Sequence, residues 1–226
     1  NLVFNGDPPV FYKEILKPAS RNFLNPIFPV KSLSYSMGLF VLFFGTKTRY
    51  EEIAHHTIWL TERFKDLLHD IFEKRIITED FSLYLHRPTA TDKSFAPDGH
   101  DSFYVLCPVP NLKNNIDWSI HGEKLKDQII IELENTIMPN LSNHIEDISY
   151  MTPKDFKNNY RSMYGAGFSI APKFTQSAWF RYHNEDDNIP NIFFSAAGSH
   201  PGAGLPGVLS SAKVVENILK KRYGVK

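Results

Sequence analysis

The sequence predicts a mixed α/β fold in which a mixed or antiparallel sheet is backed by helices. Three observations carry that expectation. Helical and extended hydrophobic patterns alternate along the chain, and several of the extended ones are joined by loops alone, which points away from an all-parallel sheet. Near the end, a short apolar run passes through a glycine-rich turn into a helical pattern.

The first element is Leu2-Val3-Phe4, which reads as the end of a strand entering the turn Asn5-Gly6-Asp7-Pro8-Pro9. A short helix over Phe11 to Leu16 and a loop punctuated by Pro18, Pro26 and Pro29 follow. Lys31 to Gly45 is strongly strand-forming, and its continuous apolarity fits burial on both faces or one face lining an apolar cavity. Ile53 to Trp59 is a second short strand. Thr61 caps a helix to Glu73 that gathers Phe64, Leu67, Leu68, Ile71 and Phe72 on one face. Phe81 to His86 and Phe103 to Val109 alternate as strands of a hairpin with a long connection.

Asn111 to Trp118 is loop. The next helix spans about Ile120 to Ile137, with Leu125, Ile129, Leu133 and Ile137 at intervals of four and Pro139 as its stop. Ile145 to Met151 is a strand, and Thr152-Pro153 starts a short helix as N-cap and first helical residue. Gly165 to Ile170 forms a second glycine-containing turn, and an acidic loop over Asn184 to Asn188 leads into the final stretch.

Composition narrows the function classes. The 226 residues are 42% hydrophobic and 14% aromatic, enough for a sizeable core. Equal numbers of basic and acidic residues, 25 each, give no electrostatic reason to propose a nucleic-acid partner. The single cysteine, Cys107, excludes an internal disulfide framework, fits a reducing compartment and reads as buried packing. The longest apolar run, Met37 to Phe44, is strand-sized and far short of a membrane span. There is no internal repeat and no low-complexity segment. His55 and His56 are adjacent, so on a strand they point to opposite faces and cannot chelate together. With His86, His100, His121 and His144 they show no metal-site spacing, so no metal is expected. Glu79, Asp80, Asp98 and Asp101 read as solvated loop carboxylates, and no catalytic residue can be named.

The closing stretch, Asn191 to Ser211, carries the chemistry. Ile192 to Phe194 is a buried strand, and Gly198, Gly202, Gly204 and Gly207 follow within ten residues. Val208, Ala212, Val215 and Leu219 then share one helix face, and Lys220, Lys221 and Arg222 sit at the end where cations suit the dipole. A strand, glycine turn and helix in that order let backbone N–H groups approach an anionic or electron-rich ligand, though such a turn also serves tight helix-on-strand packing.

Gly198 to Gly207, GSHPGAGLPG, closely resembles the C-terminal signature of the bacterial and fungal phytoene desaturases, FAD-dependent carotenoid desaturases. Asn191, Phe193, Phe194, Gly198, His200, Pro201, Gly202, Gly204 and Leu205 match it; Ala196 and Ser199 depart from it, toward other small residues. The resemblance extends over roughly residues 1 to 222. It implies part of a two-domain flavoprotein: a substrate-side mixed or antiparallel sheet with helices, flanked by pieces of a doubly wound FAD-binding domain. The implied division is 1–30 for a flavin-domain strand and linker, 31–182 for the substrate side, and 183–226 for the closing flavin-domain strand, turn and helix. The chain then reads as a C-terminal portion without the G-x-G-x-x-G fingerprint, expected to be inactive by itself.

By resemblance, FAD contacts fall on Gly198, Ser199, His200, Pro201, Gly202, Gly204, Leu205, Pro206, Gly207 and Val208. For His200 a second reading stands beside this one: a capping side chain that fixes the loop. The implied reaction dehydrogenates phytoene or a related acyclic carotenoid, a long apolar polyene taken from a membrane surface by a cytoplasmic, peripherally bound enzyme. A carotenoid isomerase, a ketolase, a retinol saturase and a prenyl-carrying escort resembling Rab GDP-dissociation inhibitors share related folds, and the intact Gly202 and Gly204 speak against the last.

Overall fold

A computed structural model of the chain describes residues 1–16, 30 and 32–224. The expected loop through Pro18, Pro26 and Pro29 lies outside the described residues. In chain order the elements are β1 (Leu2–Phe4), α1 (Pro8–Val10, widening into a π-helical turn Phe11–Ile15), β2 (Gly38–Thr46), β3 (His56–Trp59) and α2 (Phe64–His69, continued as a π-helical turn Asp70–Lys74). There follow β4 (Leu83–His86), β5 (Asp101–Val109), α3 (Trp118–Thr136), α4 (Leu141–His144), β6 (Ile145–Met151), α5 (Pro153–Tyr160), β7 (Ile192–Phe194) and α6 (Leu205–Tyr223).

The chain divides into two compact units, Asn1–Ser36 with Phe156–Lys226, and Met37–Asp155. The segment 156–182, expected with the substrate side, packs with the terminal unit instead. Its contacts give the reason: Met163, Ala166, Ile170 and Tyr182 share a core with Val10, Leu33 and Tyr35.

The central unit is a five-stranded antiparallel sheet in the order β3-β4-β5-β2-β6. Alternation decides its two faces. On one, Phe40, Leu42 and Phe44 of β2, Leu83 and Leu85 of β4, and Phe103, Val105 and Cys107 of β5 are buried with Trp118, Leu125, Ile129 and Leu133 of α3. Helix α3 comes close enough to β6 that a Cβ on Gly122 would lie 3.0 Å from the Tyr150 ring. Its first turn is closed by Asp117, whose carboxylate accepts from Ser119 N at 3.0 Å and Ser119 Oγ at 2.6 Å. Burial pushes the Cys107 thiol up to about 12, as befits a packing residue.

Three expectations shift. β2 starts at Gly38, seven residues after Lys31, because Tyr35 is bridged to Ile170 in the other unit's core. Of the five apolar residues expected on one buried face of α2, only Leu67 and Ile71 are buried; Phe64, Leu68 and Phe72 are exposed. Asp101 is no solvated loop carboxylate. It opens β5 at 1% exposure and is bonded to Arg87 Nε at 2.9 Å, Thr89 Oγ1 at 2.7 Å and the Tyr50 amide at 2.7 Å. Arg87 also donates to the Ile53 carbonyl at 2.9 Å, so one ion pair ties the strand ends to the loop before β3.

The terminal unit is built on a parallel pair, β1 beside β7, with Leu2, Val3 and Phe4 opposite Ile192, Phe193 and Phe194. β7 is wholly buried, and Phe194 packs edge-on against Phe4 and Phe11.

Removing one member of a buried ion pair leaves the other charged and unpaired. Asp101→Asn is therefore expected to lower stability by about 3 kcal/mol and Thr89→Val by about 1 kcal/mol. Urea denaturation of both variants checks this; equal, small losses would contradict the ion-pair account.

Candidate functional site

The glycine-rich turn leaves the carboxyl end of β7 and enters α6. Two of its glycines are required by space. A Cβ on Gly198 would lie 2.6 Å from Pro8 Cδ and Ser169 Oγ, and one on Gly207 would lie 2.6 Å from the Gly202 carbonyl oxygen. The other two are required by conformation, with φ of +143° at Gly202 and +92° at Gly204. No described atom comes within 4 Å of a Cβ placed on Gly204, and only Arg181 approaches one on Gly202. Ala203, Gly204, Leu205 and Pro206 are exposed. The turn thus presents bare backbone to open space at the N-terminus of a 19-residue helix. First-turn amides such as those of Leu205 and Gly207 lack intrahelical acceptors, and the helix dipole adds positive potential. An anionic group such as a dinucleotide diphosphate fits that donor set.

The turn is held from behind by side chains that sequence reasoning passed over. Arg181, 2% exposed, donates to the carbonyls of Ala197 (3.0 and 2.8 Å), Gln176 (3.2 Å), Phe168 (3.3 Å) and Ile170 (3.1 Å). Asn184 Nδ2 donates to the carbonyls of Phe194 at 3.0 Å and His200 at 2.8 Å, and to Ser211 Oγ at 3.3 Å. Asp7 accepts from the Ser169 hydroxyl and, at 2.9 Å, from the Met163 amide. Burial pushes the Asp7 carboxyl up, against the opposing pull of those two bonds and of the Arg181 charge. No sequence motif marks Arg181 or Asn184; only the three-dimensional convergence of carbonyls on them reveals their role.

Among the predicted contacts, Gly202, Gly204, Leu205, Pro206 and Gly207 come together on the open side of the turn. Ser199 does not join them: it is fully buried, and its hydroxyl bonds Ala196 N at 3.0 Å, Ala196 O at 2.9 Å and Ser211 Oγ at 3.2 Å. The Val208 amide is given to the Gly204 carbonyl at 2.9 Å. His200 Nδ1 lies 3.0 Å from the Ala178 carbonyl and its amide donates to Tyr182 at 2.8 Å, so its side chain fixes the loop. Pro201 follows it through a cis peptide.

The central unit offers a second candidate surface. The sheet face away from α3 carries Phe43 and Ser149 beside Tyr104, then His86 and Tyr84 on β4, and His56 and Ile58 on β3. A cavity of about 320 Å³ opens there, lined by Phe43, His86, Ser102, Tyr104 and Ser149 among others. Its wall is aromatic, with Phe43 and Tyr104 ring centroids 5.6 Å apart. Burial and the neighbouring His55 and His56 hold the His86 pKa below the usual imidazole range.

The expectation that His55 and His56 diverge is corrected here. His55 precedes the first residue of β3, where strand alternation does not yet apply, and its ring centroid lies 4.4 Å from that of His56 and 4.8 Å from that of His86.

Comparison with known proteins decides the relationship. A lycopene-forming phytoene desaturase of Pantoea ananas is 43% identical over 218 residues, covering 95% of this chain. A neurosporene-forming phytoene desaturase of Rhodobacter capsulatus is 40% identical over 224 residues, 96% of the chain. The chain is homologous to phytoene desaturases. It spans 44% of the length of the first desaturase and 42% of the second. No protein-family model matches it. An oxidoreductase from Methanosarcina mazei has a similar fold, with a TM-score of 0.51 and 14% identity over 95% of this chain and 42% of that one. The likeness to the solved structure agrees with the mixed α/β architecture. Among the described residues, no helix is long and apolar enough to cross a membrane.

Arg181→Met would strand several buried carbonyls, each costing about 1–3 kcal/mol. Stability is expected to fall by at least about 4 kcal/mol, against about 1–3 kcal/mol for Gly204→Ala, which only strains the backbone. Thermal unfolding ranks the two; a larger loss at Gly204 would contradict Arg181 as the anchor of the turn.

Proposed function

We propose that this chain is the C-terminal portion of an FAD-dependent carotenoid desaturase that dehydrogenates phytoene or a related acyclic polyene. The observation that carries the proposal is the 40–46% identity to named phytoene desaturases, which for most of them extends along nearly the whole chain. The bare backbone of Gly202 to Gly207 supports the cofactor. In this reading Gly202, Gly204, Leu205, Pro206 and Gly207 face FAD, while Gly198, Ser199, His200, Pro201 and Val208 set the course of the turn. When bound, the flavin supplies the acceptor for hydride removed from a C–H bond beside the conjugated system.

The chain's own residues bind and orient. The first-turn amides of α6 receive negative charge, and Arg181 and Asn184 keep those amides in place by fixing the carbonyls behind them. Phe43, Tyr104 and Tyr84 on the open sheet face offer an apolar, water-excluding wall to a polyene. An acyclic carotenoid resides in a bilayer, so the enzyme would take it up as a peripheral protein on the cytoplasmic side. Phe174, 86% exposed, and Trp179, 70% exposed, supply apolar contact of the kind that surface-bound proteins use.

The test uses the full-length protein. Gly202→Val places a branched side chain at φ +143°, with its Cβ 3.6 Å from Arg181 Nε, and so displaces the backbone offered to the ligand. Flavin bound per folded protein is expected to drop at least about tenfold, a loss of about 1.4 kcal/mol in binding; normal loading would overturn the cofactor assignment. Coexpressing the wild-type gene with a phytoene-producing pathway is expected to yield coloured polyenes. Unchanged phytoene with flavin-loaded protein would favour an isomerase, ketolase or retinoid role.

A further inference from the structure

Three imidazoles converge on the sheet edge, and nothing in the desaturase reading uses them. His56 opens β3 and lies directly opposite His86, the last residue of β4, in the antiparallel ladder. His55, one residue earlier, keeps its carbonyl in that ladder by accepting from the Arg87 amide at 2.9 Å. Its ring nonetheless turns to the same side as the other two. The His56 and His86 rings stack at 5.2 Å and 13°, and one ring nitrogen from each of the three residues lies within 4.8 Å of the others.

Outer hydroxyls engage one ring nitrogen of His55 and one of His56. His55 Nδ1 is hydrogen-bonded with the Thr91 hydroxyl, and His56 Nδ1 lies 2.8 Å from the Tyr84 hydroxyl. A hydroxyl that accepts the Nδ1 proton leaves the Nε2 lone pair free, the arrangement by which outer partners orient histidine ligands on metals. His55 Nε2 in turn faces His86 Nε2 at 2.8 Å, so one of the two carries a proton that the other accepts. A cation between them satisfies both. Zinc–nitrogen bonds of about 2.0–2.1 Å at tetrahedral angles need ring nitrogens about 3.3 Å apart, so this pair has to open by only about 0.5 Å. No carboxylate belongs to the set, which suits zinc, nickel or copper and not magnesium or calcium.

We propose that His55, His56 and His86 form a three-imidazole site for a divalent transition metal ion of the zinc class, with water in the remaining position. The site clips the start of β3 to the end of β4, and the loop carrying Thr91 closes behind it. It stands independently of the flavin chemistry.

The experiment is zinc titration of the untagged, metal-stripped full-length protein by calorimetry, with magnesium as control. One saturable equivalent of zinc and none of magnesium is expected. His55→Gln, His56→Gln and His86→Gln should each weaken zinc binding at least about tenfold, and Tyr84→Phe, which removes only the hydroxyl behind His56, about tenfold. Cobalt substitution of the unmodified protein supplies a readout that needs no variant: visible d–d bands of low-symmetry, nitrogen-rich coordination that zinc displaces. The absence of saturable zinc uptake, zinc affinity unchanged in a folded triple-glutamine variant, or a cobalt spectrum of the hexa-aqua ion would each overturn the site.

Discussion

The buried guanidinium of Arg181 is the interaction on which the terminal unit depends. A charged group at 2% exposure is costly unless its donors are used, and here they are spent on four backbone carbonyls from three separate stretches of chain. Those stretches, around Phe168, Gln176 and Ala197, have only a three-residue 3-10 turn and an isolated bridge of their own. Once Arg181 pins them, Ala197 fixes where Gly198 starts, and Gly198 can only fit beneath Pro8 and Ser169 without a side chain. The exposed half of the turn inherits its position from that buried half. A surface of bare amides at a helix start is useful to a ligand only if it is pre-formed, and this polar scaffold is what makes it so.

Much of the local structure was legible because its signals are short-range. Ile192 to Phe194 and the helix from Leu205 were marked by an apolar run, four glycines and a basic last turn. Ile145 to Met151 was bounded by turn chemistry and by Pro153. The glycine-rich turn was legible for a different reason: its residue order resembles a family signature, and the similarity to phytoene desaturases over 95% of the chain agrees with that resemblance.

What escaped the sequence was long-range. Ser199 lies inside the signature, but its hydroxyl points at Ser211 and Ala196, because position in a motif does not fix side-chain direction. Asp101 reads as one more loop acid until Arg87, fourteen residues upstream, is seen folded against it. The histidines failed for a geometric reason: strand alternation separates neighbours only inside a strand, and His55 lies just outside one. The division of the chain escaped as well, since residues 156–182 carry no composition change and join the terminal core through scattered contacts.

The central claim is that the exposed backbone between Gly202 and Val208 receives the flavin. Amide hydrogen exchange of the full-length protein, with and without FAD, reads that backbone directly. The account predicts slowed exchange in peptides covering Gly202 to Val208 when FAD is added, with the α3 peptides of the central unit unchanged. Exchange across Gly202 to Val208 that is the same in both states, in protein carrying stoichiometric flavin, would contradict it.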